Sequence, residues 1–256
     1  MRRIVELLRM IIRLPLRLVP PNAIMRIRSG PLRGFKWVAG SAPHGSWLGT
    51  YERHVQQLFC ERVRSGDVIF DIGANVGFFT LLASKLAGPT GHVYAFEPLP
   101  RNLYYLEQHI RLNGLTNVTV QSVAIAATTG SARFRIGPHA SMGQLTDAGD
   151  LEVMTASLDE LTTGSVRRPS FIKMDIEGAE SDALQGASRL LGSTGLTIVL
   201  STHGHVQQER CWSALQNAGF NLRLLRDGTA DGDYLVVAVK SETRDQRSGE
   251  HSRPDC

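Results

Sequence analysis

Short apolar runs alternate with amphipathic stretches along most of this chain. Apolar runs begin at Val68, Val93, Phe171 and Leu196, and an alternating run begins at Val118. Repeated strand and helix patterns of this kind are typical of a doubly wound α/β fold with a mostly parallel sheet. The final apolar stretches predict an antiparallel strand pair. The predicted helices cover about 53–64, 78–83, 101–112 and 206–218, and the strand pair covers 221–225 and 234–239.

The stretch 71–77, Asp-Ile-Gly-Ala-Asn-Val-Gly, joins the first buried strand to a helix. Gly73 and Gly77 supply a positive φ or a close backbone approach, and the helix start directs free N–H groups at the turn. In a dinucleotide-binding fingerprint, a glycine would stand where Asn75 stands. Asp71 also puts a carboxylate where a pyrophosphate would be repelled. The turn therefore fits NAD poorly.

The same charges suit S-adenosylmethionine, which carries an ammonium, a sulfonium and a carboxylate. Asp71 would attract the cations, and the turn's N–H groups would bind the carboxylate. Glu97 ends the next strand, twenty residues after Gly77, where it can accept hydrogen bonds from both ribose hydroxyls. We expect the chain around Ser122 to lie under the adenine. An ordinary glycine-rich turn is the alternative interpretation.

Trp47, Tyr51 and Glu52 come just ahead of the helix that begins near Arg53. These residues either cap that helix or line the cofactor cleft. We include Glu52 among the candidate cofactor contacts.

A second stretch, 171–180, predicts a strand, a turn at Gly178 and a helix. It brings three carboxylates, Asp175, Glu177 and Glu180, to the start of that helix. Glu180 is explained by the favourable interaction of an acidic side chain with a helix N-terminus. Asp175 and Glu177 at a strand tip need a cation or a substrate hydroxyl nearby, so we predict that both are catalytic.

His203 and His205 follow the next strand, in a predicted loop at the same edge of the sheet. A histidine with a pKa near neutrality can remove a proton from a hydroxyl, and we favour His203 because it is nearer the strand tip. Either histidine can equally be a solvated loop residue. Asp175, Glu177 and His203 together could hold a divalent metal, although we do not favour a metal site.

The charge is uneven along the 256 residues. The first 28 residues contain seven arginines and one glutamate, so the remainder is slightly acidic, which argues against a broad nucleic-acid-binding face. Residues 2–14 predict a short amphipathic helix that packs on the domain, contacts anionic membrane or serves as a targeting segment. We divide the chain into a basic segment 1–34, a catalytic domain 35–240 and a disordered tail 241–256.

Three cysteines without paired spacing indicate a reducing compartment and argue against a disulfide scaffold. The predicted location is cytoplasmic, possibly with membrane association. The stretch 137–150 is rich in glycine, serine and aspartate and predicts a loop that covers a substrate or simply lies at the surface.

The chain resembles FkbM-type S-adenosylmethionine-dependent methyltransferases. The resemblance implies a Rossmann-like class I methyltransferase fold with seven strands and O-methylation of a sugar, glycolipid or polyketide hydroxyl. We add Pro98 and Asn102 to the candidate cofactor contacts. Many members carry glutamate where this chain has Ser201. The residues that carry the resemblance are 47–52, 71–77, 96–98, 157–161 and 173–180.

We therefore predict an O-methyltransferase that acts on a small-molecule or glycan hydroxyl, with no nucleic-acid partner. In the predicted reaction the hydroxyl oxygen attacks the methyl group in line with the departing sulfur, and Asp175, Glu177 or His203 accepts the proton. An RNA methyltransferase or a non-catalytic cofactor-binding protein are the alternatives, and an NAD oxidoreductase ranks last.

Overall fold

The computed structural model describes residues 18–137, 143–146, 149–164, 166–226 and 233–241. The amphipathic helix predicted at 2–14, the middle of the predicted loop at 137–150 and the tail after Ser241 lie outside these ranges. Within them, no helix is long and apolar enough to cross a membrane.

The described strands and helices alternate for most of the chain. The strands are β1 (Ile24–Arg26), β2 (Lys36–Val38), β3 (Val68–Ile72), β4 (His92–Phe96), β5 (Val118–Gln121), β6 (Ala124–Ile125), β7 (Gly130–Ile136), β8 (Gly143–Leu145), β9 (Leu151–Ala156), β10 (Phe171–Met174), β11 (Leu196–His203), β12 (Asn221–Arg226) and β13 (Asp233–Lys240). The helices are α1 (Gly45–Leu48), α2 (Arg53–Arg62), α3 (Phe78–Ala87), α4 (Pro100–Leu112), α5 (Leu158–Leu161), α6 (Glu180–Gln185), α7 (Ser188–Leu191) and α8 (His205–Asn217).

Seven strands form the main sheet in the order β12-β13-β11-β10-β3-β4-β5. The pairs from β11 to β5 are parallel, whereas β13 runs antiparallel to both β11 and β12. This confirms the predicted doubly wound sheet with a terminal antiparallel pair. The chain builds outward from β3 in both directions, so β3 and β10 flank the switch point where such sheets bind ligands.

Alternate residues of the central strands face opposite helical layers. Ile69 and Phe171 belong to the core cluster under α2 and α3, whereas Phe70 and Ile172 belong to the cluster under α6, α7 and α8. Successive strand side chains point to opposite faces, and a sheet covered on both faces needs apolar residues at both. This double burial explains why the sequence shows continuous apolar runs rather than alternation.

Two predicted boundaries near the site differ from the structure. The helix predicted after Gly178 is broken into α6 and α7 at Gly186, whose carbonyl accepts the N–H of Asp159 at 2.9 Å instead of an N–H of the next helical turn. Strand β11 is longer than predicted and ends at His203, since it pairs with β13 over its full length. His203 is therefore fixed in a strand and not held in a loop.

The smaller sheets were not predicted as such. Strands β6, β9, β7 and β8 form a four-stranded sheet, and β1 pairs with β2. That second pair joins residues 24–26 to residues 36–38, and Ile27 and Leu32 between them are buried in the core. Residues 24–32 thus pack with the body of the domain, and the division of the chain at residue 35 stays a prediction.

Two cysteines lie in the described residues. Cys211 is a buried free thiol of α8, and Cys60 is disulfide-bonded. The absence of paired spacing did not predict the bond at Cys60.

Candidate active site

A cavity of about 510 Å³ opens at the carboxyl ends of the parallel strands, beside the switch point between β3 and β10. Ligand pockets typically measure about 300–1,000 Å³. We call the part around Asn75 and Glu97 the Glu97 side and the part around Asp175, Glu177 and His203 the His203 side. Strands β4 and β11 are three strand spacings apart, or about 14 Å, so the cavity has room for an extended ligand.

The turn after β3 is held in place from both neighbouring strands. Gly73 has φ +75°, and a Cβ there would lie 2.0 Å from the carbonyl oxygen of Asp175. The backbone N–H groups of Gly73 and Ala74 both donate to the Phe96 carbonyl at 3.0 Å. Only glycine fits this approach, as predicted for Gly73.

The spacing of Gly77 suggested a contact with the cofactor, but the structure places it in the packing between two helices. It begins α3 with φ +94°, and a Cβ there would lie 2.5 Å from Cδ1 of Leu106. Gly77 therefore permits α3 to pack against α4, and it is absent from the residues that line the cavity.

Glu97 lines the cavity and is almost completely buried. Its Oε1 accepts hydrogen bonds from the Leu99 N–H at 2.9 Å and the Asn102 side chain at 3.2 Å, and its Oε2 accepts from the Asn75 N–H at 2.8 Å. Burial raises the pKa of Glu97, and these hydrogen bonds oppose the rise. A carboxylate has about four acceptor positions, so the three bonds leave one for a ligand hydroxyl.

Asp71 does not line the cavity, contrary to the contact we predicted with the cofactor. It is fully buried, its Oδ2 accepts the hydroxyl of Thr80 at 2.5 Å, and its Oδ1 lies 4.0 Å from Nζ of Lys173. The cause is strand alternation, which directs Asp71 to the face covered by α3 instead of to the sheet edge. Burial raises its pKa, and Lys173 opposes that rise.

Lys173 lines the cavity and was not singled out from the sequence. Its Nζ lies 3.5 Å from Oδ2 of Asp175 and 3.4 Å from the Gly73 carbonyl. Burial would lower its pKa, but Asp175 and Asp71 raise it, so Lys173 carries a charge. A lysine inside an apolar strand needs buried anions as partners, and that was the signal available in the sequence.

The remaining predicted cofactor contacts divide between the cavity and the surface. Glu52, Pro98 and Asn102 line the cavity. Glu52 precedes α2 with φ +40° and makes no side-chain cap there, and its contact with the cofactor stays a prediction. Ser122 is exposed and does not line the cavity, whereas its neighbour Val123 does.

On the His203 side, three carboxylates surround one imidazole. Nε2 of His203 lies 3.6 Å from Oδ1 of Asp175 and 3.6 Å from Oε2 of Glu177. Nδ1 of His203 lies 2.8 Å from Oε1 of Glu180, a fully buried carboxylate that also accepts the Gly178 N–H at 3.0 Å. Glu180 therefore does more than favour the start of α6: it fixes the imidazole ring.

This arrangement makes His203 a cation. Burial would lower its pKa, but the hydrogen bond to Glu180 and the charges of Asp175 and Glu177 raise it to about 9. The predicted pKa near neutrality is wrong, because the sequence does not reveal how many carboxylates meet at one ring. Burial in turn raises the pKa of Glu177 above its ordinary value.

His205 does not join this cluster. It is the first residue of α8, its side chain is 70% exposed, and its Nδ1 lies 3.5 Å from Oε1 of Glu209 on the same helix. Among the described residues, no group of three or more histidine, cysteine, aspartate or glutamate side chains is arranged to hold a metal ion.

A buried histidine supports the turn from behind and was missed at the sequence level. His109 of α4 bonds through Nδ1 to the Val76 carbonyl at 2.7 Å and accepts the Val38 N–H at Nε2 at 3.0 Å. Burial lowers its pKa to about 4, so the ring is neutral and can accept at one nitrogen while it donates at the other. His109 thus ties β2 to the turn.

The sheet order and the cavity at its switch point define a Rossmann-like protein that binds a small molecule at the carboxyl edge of its strands. Comparison with known proteins identifies the family to which the chain belongs. Residues 71–222 match the sequence model of the methyltransferase FkbM domain. The match begins at Asp71, covers the turn and both sides of the cavity, and ends in β12.

Two relatives and one solved structure place the match in context. Hexuronic acid methyltransferase AglP of Haloferax volcanii is 30% identical over 188 residues, or 72% of this chain and 76% of that protein. The 31-O-demethyl-FK506 methyltransferase FkbM of Streptomyces tacrolimicus is 29% identical, over 53% of this chain and 63% of that protein. The crystal structure of methyltransferase FkbM from Methylobacillus flagellatus has the same fold, with a TM-score of 0.51 and 19% identity over 77% of this chain and 55% of that one.

The chain belongs to the FkbM methyltransferase domain family. It is an S-adenosylmethionine-dependent methyltransferase, as the resemblance implied.

Proposed function

We propose that this enzyme transfers the methyl group of S-adenosylmethionine to a hydroxyl oxygen of a sugar, a glycolipid or a related secondary metabolite. The observation that carries the proposal is the meeting of Asp175, Glu177 and His203 in the same cavity as Glu97 and the glycine turn. A proton-accepting group thus lies beside a site suited to the methyl donor. The names of the two relatives, a hexuronic acid methyltransferase and a methyltransferase of FK506, support an acceptor of this kind.

The residues of the Glu97 side fit S-adenosylmethionine. Glu97 keeps one acceptor position for a ribose hydroxyl, and Asn75 and Gly73 present the turn to the amino-acid part. Apolar side chains, among them Val123 and Ile125, offer a surface for the base. When bound, the cofactor supplies an electrophilic methyl group on a positively charged sulfur.

Proton removal falls to a carboxylate and not to His203. An imidazole with a pKa of about 9 is already protonated at neutral pH, so it cannot accept a proton there. Glu177 is suited to this role, since burial raises its pKa and a higher pKa makes a stronger base. We assign the proton to Glu177 and the orientation of the acceptor hydroxyl to Asp175.

His203 and Lys173 keep these two carboxylates in position. The imidazolium lies 3.6 Å from each of them, and Nζ of Lys173 lies 3.5 Å from the other oxygen of Asp175. Held in this way, the two carboxylates would orient the acceptor hydroxyl toward the methyl group that the cofactor would supply. Positioning of this kind supplies a large part of the rate of a displacement between two bound reactants.

The test compares turnover with cofactor binding in Asp175→Asn and Glu177→Gln. We expect methyl transfer to fall about a hundredfold or more in Glu177→Gln, as is usual for loss of a general base, while calorimetry still detects S-adenosylmethionine binding. Glu209→Gln is the matched control, because it removes an exposed carboxylate of α8 outside the cavity. Full turnover of either cavity variant at saturating cofactor would remove that residue from the chemistry.

A further inference from the structure

Carboxylates dominate the charge of the His203 side. Asp175, Glu177 and Asp233 line it, Glu52 lines the same cavity, and Glu180 lies directly behind His203. Asp233 belongs there by strand register, because it is the pairing partner of His203 between β13 and β11. The negative charge of Asp233 helps to raise the pKa of Glu177.

The cations of the described lining are few and already engaged. Lys173 lies between Asp71 and Asp175, and His203 lies among Asp175, Glu177 and Glu180. Among the lining residues that the structure describes, none is an arginine, Lys173 is the single lysine, and His54 is the one histidine besides His203. A carboxylate ligand is normally held by the guanidinium of an arginine or by a lysine ammonium with an N–H donor to spare.

From this charge balance we propose that the acceptor carries no negative charge: its hydroxyl belongs to a neutral or amine-bearing sugar or polyol, and uronic acids are excluded. The inference rests on the proposed function and narrows its substrate class. It sets this chain apart from the relative named hexuronic acid methyltransferase, which shares 30% identity with it.

Binding of the methyl donor does not reverse the excess of carboxylates over cations in the cavity lining. Its sulfonium and ammonium are offset by one carboxylate, so it brings a single net positive charge, and the lining carboxylates still outnumber the cations. A uronate placed beside Asp175 and Glu177 would therefore meet like charges in a partly buried site. Juxtaposed like charges are a common means by which binding sites reject a wrong partner.

An ammonium group would meet the opposite situation. Glu52 and Asp233 line the same cavity as Asp175 and Glu177, and a cation among these carboxylates is attracted. A hydroxyl adjacent to an amine is thus the acceptor that this lining favours most.

The experiment compares acceptors that differ at one position. The full chain is given S-adenosylmethionine with a labelled methyl group and matched sets of methyl glycosides in the gluco and galacto series. Each set contains the neutral sugar, the 2-amino sugar and the uronic acid. We expect kcat/KM for the uronic acid to be at least about tenfold lower than kcat/KM for the neutral sugar. We expect kcat/KM for the amino sugar to equal or exceed that for the neutral sugar.

A charge variant tests the cause. Asp233→Asn removes one carboxylate, so the ratio between neutral sugar and uronate should shrink severalfold, mainly through the KM for the uronate. Glu209→Gln removes an exposed carboxylate outside the cavity and should leave the ratio unchanged.

The outcomes distinguish failure of the charge argument from failure of the proposed sugar acceptor. Methyl transfer to a uronate as efficient as to its neutral partner, or a ratio that Asp233→Asn does not change, would overturn the charge argument and leave the proposed O-methylation standing. Transfer to none of the sugars, with S-adenosylmethionine bound, would overturn the sugar acceptor itself. Discrimination that favours neutral and amine-bearing acceptors, relieved by Asp233→Asn, supports the proposal.

Discussion

Glu180 determines the protonation of His203, and its replacement by glutamine is the sharpest test of the site's electrostatics. The carboxylate is completely buried and lies 2.8 Å from Nδ1 of His203. Glutamine keeps the shape and an oxygen that can accept the Gly178 N–H, but it removes the charge. Close opposite charges shift pKa values by about 1–3 units, so Glu180→Gln should lower the pKa of His203 from about 9 by roughly that amount.

The measurement is an NMR titration of the histidine ring carbons in wild type and variant, with His203→Gln used to assign the signal. In wild type, His203 should titrate about 2.5 units above an ordinary histidine, and the variant should titrate within the physiological range. Glu209→Gln removes the exposed partner of His205 and should leave the titration of His203 unchanged.

The activity profile gives a second readout. Because the imidazolium holds Asp175 and Glu177, wild-type activity should fall as pH rises through about 9, and in Glu180→Gln it should fall at lower pH. An activity that instead rises through pH 9 would make His203 the base. A wild-type titration near 6.5, or one that Glu180→Gln does not move, would refute the reasoning.

Three further changes test the turn, the cofactor contact and the buried lysine. Gly73→Ala should abolish S-adenosylmethionine binding, because its Cβ would collide with the Asp175 carbonyl, whereas Gly114→Ala, with φ +63° and no atom within 4 Å, should bind normally and lose only about 1 kcal/mol of stability. Glu97→Gln should weaken binding of the cofactor about tenfold or more in calorimetry, and unchanged binding would remove Glu97 from the site. Lys173→Met leaves the fully buried carboxylate of Asp71 without a cation, so denaturant unfolding should show a loss of roughly 3–5 kcal/mol, and a loss below about 1 kcal/mol would contradict the ion pairing described.

The fold was readable from the sequence because burial on both sheet faces leaves continuous apolar runs, which mark strands directly. The meeting of Asp175, Glu177 and His203 was also predictable. The carboxyl ends of adjacent parallel strands share one edge, so residues that follow two such strands come together even when they are far apart in the chain.

The orientation of the site side chains and their ion-pair partners could not be predicted from the sequence. Asp71 lies inside β3 and its side chain faces α3, whereas Asp175 lies one residue beyond the end of β10 and lines the cavity. The sequence does not show where each strand ends to within one residue. The pairing of Lys173 with Asp71 depends on strand order, since the two are register partners in neighbouring strands. The charge of His203 depends on three carboxylates from one turn and helix start converging on a single ring.

Transfer of the methyl group to a hydroxyl oxygen is the reaction that the site is proposed to perform. The most direct measurement uses the purified full chain, S-adenosylmethionine labelled with ¹³C in its methyl group, and the neutral and amine-bearing sugars described above. We expect a product whose labelled carbon is bonded to oxygen, formed by wild type and lost in Glu177→Gln. A labelled methyl found on nitrogen or carbon, or a product formed equally well by Glu177→Gln, would contradict it.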